Sequence, residues 1–253
     1  AQEGTATIGS GVVANTTTTP YKGFWGGHKA QFLYTAAELS SAGLASGVSI
    51  TTLNLPVTAF SSPYTFNNFT ISMKNTATTA LTSTPESGTT TVFGPTTYTL
   101  SGTAPFTISH TITPFVWDGT SNVVVEFCFN NVDGGGTSSN SATVTSTAVT
   151  GGATYFSADN TATVCSTTSG WTTSTSRANI GFGYVGAVYP ITWSPSTGLN
   201  TTSGPSVTAS PATTQTYTAT ATNGSCTSAQ SVTVTVNPKP DGASISVDNN
   251  TVC

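Results

Sequence analysis

Charged side chains are scarce in this chain of 253 residues, of which only 6% are Asp, Glu, Lys or Arg. An ordinary globular domain is about a quarter charged. With five Lys and Arg residues in all, the chain lacks the basic surface that neutralises a nucleic-acid backbone. The net charge of −4 is too small for disorder driven by charge repulsion, and apolar residues occur throughout.

Long apolar runs and strong helix formers are also missing. No stretch approaches the roughly 18 consecutive apolar residues of a membrane-spanning helix. Thr, Ser, Val and Gly dominate, whereas Glu, Lys and Leu are few, and this composition disfavours long helices. These absences leave a secreted, all-β chain of more than one domain as the class that fits.

Thr and Ser together make up roughly a third of the chain, far above average usage. Thr is β-branched and suits the solvent face of a strand. Alternating segments bounded by Gly, Asn, Pro or Ser predict strands at residues 5–13, 29–35, 48–59, 66–74, 90–100, 104–112, 122–130, 141–149, 153–157 and 178–185. One short helix is expected between Thr35 and Leu44, which has a Thr cap, a Glu three residues later and a Gly near its end.

The pattern changes near residue 187, where a second set of strands begins. Trp193 is a core-sized aromatic in a short strand, and Tyr217 and Ala219 follow in an alternating one. A buried Trp followed by such a Tyr is typical of immunoglobulin-like sandwiches. We therefore predict an all-β chain with a jelly-roll-like β-sandwich at 1–186, a short immunoglobulin-like β-sandwich module at 187–238, and a linker with the start of a further repeat at 239–253.

The two ends of the sequence bear on its location. The chain opens on Ala1 rather than Met and without a hydrophobic segment, which fits a mature protein whose signal peptide has been removed. Low Lys content and four Cys residues fit an oxidising, extracellular environment. The chain stops at Cys253 directly after a strand-like segment, so we expect a fragment of a longer protein.

Three stretches of the first domain carry a resemblance to known proteins: HKAQFLYTAAEL at 28–39, TPFVWDGTSNVVVEFCFNN at 113–131, and YFSADN at 155–160 with the cysteine that follows. They resemble a β-sandwich domain of large secreted proteins of Bacteroidetes. WSPSTGL at 193–199 and the Thr-rich strands after it resemble the immunoglobulin-like or PKD-like repeats of the same proteins. Residues 240–253 resemble the start of another such repeat.

This resemblance implies export by the type IX secretion system and display at the cell surface, as in giant gliding-motility adhesins. We therefore expect the N-terminal fragment of a large adhesin, a non-catalytic modular stalk. Its partners would be the secretion machinery during export and a surface polysaccharide or solid surface afterwards, with no nucleic acid and no membrane insertion. Two alternatives stay open: a carbohydrate-binding accessory region of a secreted hydrolase, or a structural subunit of an extracellular filament.

The four cysteines allow three pairings. Cys128 and Cys165 both lie in the first domain, and we predict a disulfide between them. Its loop closure would stabilise the fold by about 3–4 kcal/mol. Cys226 and Cys253 either pair with each other or each pair with a cysteine outside this chain.

Residue types that carry out catalysis are few. His28 and His110 are the two histidines, and neither belongs to a nucleophile motif. We interpret His28 as a hydrogen-bonded residue at a strand start rather than a ligand contact, and assign His110 to the solvent face of its strand. Glycoside hydrolysis needs two carboxylates at a set separation, whereas the acids here are scattered. We expect no catalytic residues, no cofactor and no enzymatic activity.

Glu126 is a lone charge in an apolar strand, VVVEFCF at 123–129. The simplest interpretation places it on the outward face together with Cys128, and a covering layer or a sheet edge would then shelter the cysteine. The alternative is a buried Glu126 that pairs with Arg177, the only arginine, or with a calcium ion.

Aromatic rings beside loops are candidates for ligand binding, since a flat ring covers the apolar face of a sugar. Tyr21, Phe24, Trp25 and Trp171 form this candidate set, whereas Trp117 is expected in the core.

Two Asp-Gly pairs are the candidate metal ligands. Asp118 and Asp133 could supply oxygen atoms to Ca²⁺. Asp-Gly is also a common turn signal, and we interpret both residues as turn formers.

Overall fold

The computed structural model describes residues 3–136, 140–186, 191–204, 206–223 and 226–237. The chain divides into two compact units, Ala1–Ala187 and Val188–Cys253. Almost all regular structure is antiparallel β-sheet, which confirms the predicted all-β class, and the first unit is a β-sandwich. No helix in these described ranges is long and apolar enough to cross a membrane.

The described residues of the first unit form strands β1 to β11, a short helix and a 3-10 turn. Their bounds are β1 (Glu3–Ile8), β2 (Val13–Asn15), β3 (Gly27–Tyr34), α1 (Ala36–Ser41), β4 (Ser49–Ala59), β5 (Tyr64–Thr76), β6 (Thr90–Leu100), β7 (Phe106–Val116), β8 (Asn122–Asn130), β9 (Thr143–Ala158), the 3-10 turn (Val164–Ser166), β10 (Thr172–Ala178) and β11 (Ile180–Val185). The second unit contains β12 (Ile191–Ser194), β13 (Gln215–Asn223) and β14 (Cys226–Val234).

A single curled sheet builds the sandwich, with strand order β1-β11-β4-β9-β3-β8-β5-β6. β7 pairs with β4, and β2 and β10 pair with β9. The long strand β9 joins the two layers, because its first half pairs with β2 and β4 and its second half pairs with β3. Gly151, at φ +69°, lies where β9 changes partners, in a backbone region that glycine adopts readily. The sequence predicts two strands here.

The core lies between the two layers and is rich in aromatic side chains. Phe32, Phe66, Phe69, Phe127 and Phe129 are all fully buried. Burial of each such side chain stabilises the fold by about 1.5–3 kcal/mol. On β7, His110 is 2% exposed and shares the inward phase with Ile108 and Ile112, while Ser109 and Thr111 point outward. The assignment of His110 to the solvent face is therefore wrong.

Strand β8 is buried on both faces. Val125 and Phe127 belong to the core, whereas Val124 packs outside it with Leu33 and Leu81. The outward-facing side chains are sheltered by two segments, 77–89 and 159–171, which lie across the outer face of the sheet. The covering layer that the sequence suggests for this strand is therefore present.

Helix α1 begins with the capping box that the sequence predicts. The Glu38 N–H donates to Oγ1 of Thr35, and the Thr35 N–H donates to the Glu38 carboxylate. Leu39 is buried, so the helix packs one residue into the core. Gly43 follows the helix at φ +98°, a conformation that disfavours other residues and ends the helix.

The described residues of the second unit form one three-stranded sheet in the order β12-β13-β14. Trp193 lies opposite Ala219, and its indole N–H donates to the Gly204 carbonyl at 3.0 Å. Tyr217 is 1% exposed and its hydroxyl donates to the Thr197 carbonyl at 2.6 Å. Tyr217 is thus buried, whereas Trp193 is half-buried, and the immunoglobulin-like sandwich at 187–238 stays a prediction. The predicted linker and further repeat at 239–253 lie outside the described residues.

Candidate functional site

The loop between β2 and β3 carries two accessible aromatic rings, and neighbouring segments hold its backbone in place. Ala142 N–H donates to the Tyr21 carbonyl (3.0 Å), Gly136 N–H to the Gly23 carbonyl (3.0 Å) and Asn131 N–H to the Gly26 carbonyl (2.7 Å). Gly23 and Gly26 allow this close approach, because a Cβ at either position would collide with a backbone carbonyl. The loop is therefore fixed before any ligand arrives.

Phe24 and Trp25 are the two accessible members of the predicted aromatic set. Phe24 is 44% exposed and Trp25 is half-buried. Their rings meet edge to face, with centroids 5.5 Å apart and planes at 85°. The Phe24 N–H donates to Oγ of Ser141 at 3.1 Å and the Gly26 N–H donates to Oδ1 of Asp159 at 2.7 Å, so both ends of the pair are anchored.

The other two predicted members, Tyr21 and Trp171, are only 0% and 4% exposed and present no ring to a ligand. Their assignment as ligand-binding residues is therefore wrong. The Tyr21 ring stacks on Phe69 in the core, with centroids 5.9 Å apart, and its hydroxyl shares a hydrogen bond with Nε2 of His110 at 2.7 Å. The Trp171 indole lies 5.5 Å from the ammonium of Lys29. Tyr21 thus anchors the loop, and Trp171 is part of the segment that covers the sheet.

Lys22 and Trp25 line two neighbouring cavities. The larger has a volume of about 500 Å³ and is completed by Thr16, Phe24, Ser141 and Thr143. The smaller has a volume of about 260 Å³ and is completed by Tyr155, Phe156, Ser157, Gly170 and Thr172. Aromatic faces combined with hydroxyl groups suit a ligand that has both apolar surface and many hydroxyls. We call these two cavities and their lining the aromatic site.

His28 adjoins the aromatic site through Ser157, with which its Nδ1 shares a hydrogen bond at 2.7 Å. The side chain is fully buried, and this burial, together with the charge of Lys22, lowers the pKa of His28 to about 3. The imidazole is therefore neutral at physiological pH. The interpretation of His28 as a hydrogen-bonded residue at a strand start is confirmed.

A second concentration of charge lies on the outer face of β3, β5 and β8. We call it the covered polar layer, and its members are Lys29, Gln31, Lys74, Glu86 and Glu126. Glu126 accepts a hydrogen bond from Nε2 of Gln31 at 2.7 Å and pairs with the Lys29 ammonium at 3.3 Å. Glu86 pairs with Lys74 at 2.7 Å, and its N–H donates to Oε1 of Gln31 at 2.8 Å. The layer is a continuous network.

The predicted disulfide between Cys128 and Cys165 is formed, with the Cα atoms 5.7 Å apart. It fastens the segment 159–171 over the outer face of β8, and the Cys165 carbonyl accepts a hydrogen bond from Nζ of Lys29 at 2.9 Å. Cys128 and Glu126 therefore share the outward phase that the sequence predicts, and both are sheltered.

Glu126 is buried, as one interpretation of the sequence has it, but the pairing of Glu126 with Arg177 is wrong, because the cation paired with Glu126 is Lys29. The Arg177 guanidinium binds both carboxylate oxygens of Glu38, at 2.8 and 2.6 Å, and donates to the Leu33 carbonyl at 3.0 Å. These hydrogen bonds from Arg177 lower the pKa of Glu38 to about 2. Glu38, the partner in this bidentate pair, also caps helix α1.

Asp118 and Asp133, the candidate calcium ligands, both close turns. Oδ1 of Asp118 accepts from the N–H groups of Thr120 and Ser121, at 2.8 and 2.7 Å, and Oδ1 of Asp133 accepts from Gly135 N–H at 2.9 Å. Within the described ranges, no group of three or more His, Cys, Asp or Glu side chains could hold a metal ion. The turn interpretation of both residues is confirmed.

Cys253 lies outside the described residues, so the pairing of Cys226 stays a prediction. The sequence pattern does not distinguish Lys22 or the hydroxyl-bearing residues of the aromatic site, such as Ser141 and Tyr155, from other polar residues. The one available signal was that Lys22 is one of only five cationic residues and lies inside the aromatic loop. Comparison of the chain with protein-family models, with curated proteins and with solved structures finds no match.

Proposed function

We propose that this chain is the attachment region of a large secreted, cell-surface adhesin, and that its first unit binds saccharides. The observation that carries the proposal is the aromatic site, in which Phe24 and Trp25 are held by a pre-fixed loop beside two hydroxyl-lined cavities. A site that is rigid before binding loses little conformational freedom when a ligand arrives. That property favours recognition and attachment.

The disulfide supports the extracellular location in this proposal. Disulfides such as Cys128–Cys165 persist in oxidising compartments and are rare in the reducing cytosol. Export by the type IX secretion system, with the secretion machinery as a transient partner, is part of the same proposal and rests on the resemblance of the chain to exported adhesins of Bacteroidetes.

Several carboxylates of the first unit stabilise its fold, and this supports a non-catalytic role. Glu38, Glu86 and Glu126 are each paired with a cation of the same domain. Asp118 and Asp159 accept hydrogen bonds from backbone N–H groups. These acids are used to hold loops, a helix and a covering segment in place, whereas a glycosidase needs two of them facing its substrate.

The second unit has features that suit a stalk or a filament. Along β14 the side chains of residues 227–233 are exposed, Val232 among them at 52%. In the described part of the unit, β14 is paired only with β13, so its other edge is open to a further strand. A filament subunit that adds strands between copies is therefore the second candidate. Association of the intact chain that rises with concentration and disappears on Val232→Lys would favour it.

Binding of the intact chain to a broad glycan array tests the proposal. We expect saccharide binding that is lost in Trp25→Ala and retained in Tyr184→Ala, an aromatic control in a different cavity. Thermal melts of both variants show whether each is folded. A folded wild-type chain that binds no glycan on the array, or whose binding survives in Trp25→Ala, would contradict the proposal.

A further inference from the structure

Lys22 differs from the other cationic side chains of the described residues. Three of these four cations have a glutamate partner: Lys29 with Glu126 at 3.3 Å, Lys74 with Glu86 at 2.7 Å, and Arg177 with Glu38 at 2.6 Å. Within the same ranges, Lys22 has no carboxylate within 4.0 Å. Among the described residues, Lys22 is therefore the one cation that has no glutamate partner.

The surroundings of Lys22 hold its ammonium in place without neutralising it. Its Nζ donates one hydrogen bond to the Thr16 carbonyl at 2.7 Å. Its backbone is bridged to Ser141, which belongs to the same site. Burial lowers the pKa of Lys22, which means that the site removes part of the water that would stabilise the ammonium. An anionic group placed beside the ammonium would offset that cost.

The lining of the aromatic site has the chemistry of a saccharide site and a single charge. Lys22 and Trp25 face both cavities, and the other lining groups are hydroxyls of Thr16, Ser141 and Thr143 and rings such as Tyr155. No carboxylate lines either cavity among the described residues. The chain has a net charge of −4, so a polyanion is not attracted to the protein as a whole. Selectivity for an anion would come from this one position.

We propose that the aromatic site binds an anionic saccharide, with the carboxylate or sulfate of one sugar on the Lys22 ammonium and an apolar sugar face on the Trp25 indole. This inference rests on the proposed function, since it specifies the ligand of the same site. A charge-assisted hydrogen bond between ammonium and carboxylate is about twice as strong as a neutral one. The hydroxyl groups of the lining favour a sugar over an acidic peptide.

Isothermal titration of the intact chain with matched ligands tests this inference. Tetragalacturonate and its methyl ester have the same backbone and differ in charge. A sulfated disaccharide tests sulfate in place of carboxylate. An oligoglutamate peptide tests whether the site prefers an acidic peptide to a sugar. We expect the methyl ester to bind about tenfold or more weakly than tetragalacturonate. Lys22→Met should weaken tetragalacturonate binding to the level of the ester, while Lys22→Arg restores it.

Lys74→Met is the matched control, because it removes the same charge from the covered polar layer and should leave tetragalacturonate binding unchanged. Tighter binding of the sulfated disaccharide would support the inference and identify sulfate as the anion. If tetragalacturonate and its methyl ester bind equally well and neither binds Trp25→Ala, the inference of an anionic ligand is overturned. The proposed binding of saccharides at this site would still stand. Tighter binding of oligoglutamate than of any saccharide would overturn the ligand class.

Discussion

The covered polar layer and the aromatic site contain all three lysines of the first unit, yet they use them in opposite ways. In the layer, Lys29 and Lys74 are each paired with a glutamate and sheltered by covering segments, with side-chain exposures of 13% and 32%. In the aromatic site, Lys22 stands without a carboxylate beside two open cavities. Among the described lysines, a glutamate partner distinguishes Lys29 and Lys74 from Lys22, which we propose is available to a ligand.

The largest expected effect comes from releasing the cover of the polar layer. Replacing Cys128 and Cys165 together by Ser should lower the free energy of unfolding by about 3–4 kcal/mol, the loop-closure value for this spacing. Urea unfolding at neutral pH measures this loss. A loss below about 1 kcal/mol would show that the cover is held by its other contacts alone.

A smaller effect is expected when one partner in the layer is removed. Glu126→Ala leaves the Lys29 ammonium and the Gln31 amide without their acceptor in a sheltered site, and should cost about 2–3 kcal/mol. Glu3→Ala removes the same charge from an exposed position and should change stability by less than about 0.5 kcal/mol. Equal effects of the two substitutions, measured by urea unfolding, would contradict a structural role for the layer.

Acid should weaken the fold through its two buried histidines, while the aromatic site keeps its charge. Burial lowers the pKa of His110 to about 4 and that of His28 to about 3, whereas an unfolded chain takes up protons near 6.5. Stability is therefore complete above pH 6.5 and falls as the pH drops towards 4, by about 2 kcal/mol for each histidine at pH 5.

The variant His110→Gln separates the two contributions. It keeps a polar partner for the Tyr21 hydroxyl and no longer titrates, so the loss of stability between pH 7 and pH 5 should be about half that of the wild type. Urea unfolding at the two pH values measures it. An unchanged loss in this variant would show that His110 does not couple folding to pH.

The smallest effect on stability is expected at Lys22. Lys22→Met removes one hydrogen bond to the Thr16 carbonyl and no ion pair, so the free energy of unfolding should change by less than about 0.5 kcal/mol. Thermal and urea unfolding measure this. A loss above about 1.5 kcal/mol would give Lys22 a structural role like that of Lys29 and would remove the contrast between the two regions.

Much of the fold is predictable from the sequence because its signals are local. Alternation of Thr with apolar residues places most strands, and the Thr35–Glu38 capping box places the helix. Strand β10 was missed because Thr172–Ala178 has almost no apolar residue and pairs with β9 through its backbone. His110 was misassigned because a polar residue on the apolar phase of β7 finds its partner, Tyr21, far away in sequence.

The candidate site was predictable only in part, for a physical reason. An aromatic residue in a loop can insert into the core, as Tyr21 does, or point outward, as Phe24 does, and the sequence pattern around the two is the same. Likewise, Lys22 and Lys29 look alike in the sequence. What distinguishes them is the position of glutamates that lie far along the chain, and this is a property of the folded structure.

The most direct measurement of the central claim follows the lysine side chains themselves. In the intact chain with ¹³C-labelled lysine, the Cε resonance of each lysine reports a new anion at its ammonium during titration with tetragalacturonate. We expect a saturable shift of the Lys22 resonance and no shift at Lys29 or Lys74, because each of these two ammonium groups is already paired with a glutamate. A Lys22 resonance that does not shift, or shifts at Lys29 and Lys74 instead, would contradict the proposed binding of an anion at Lys22.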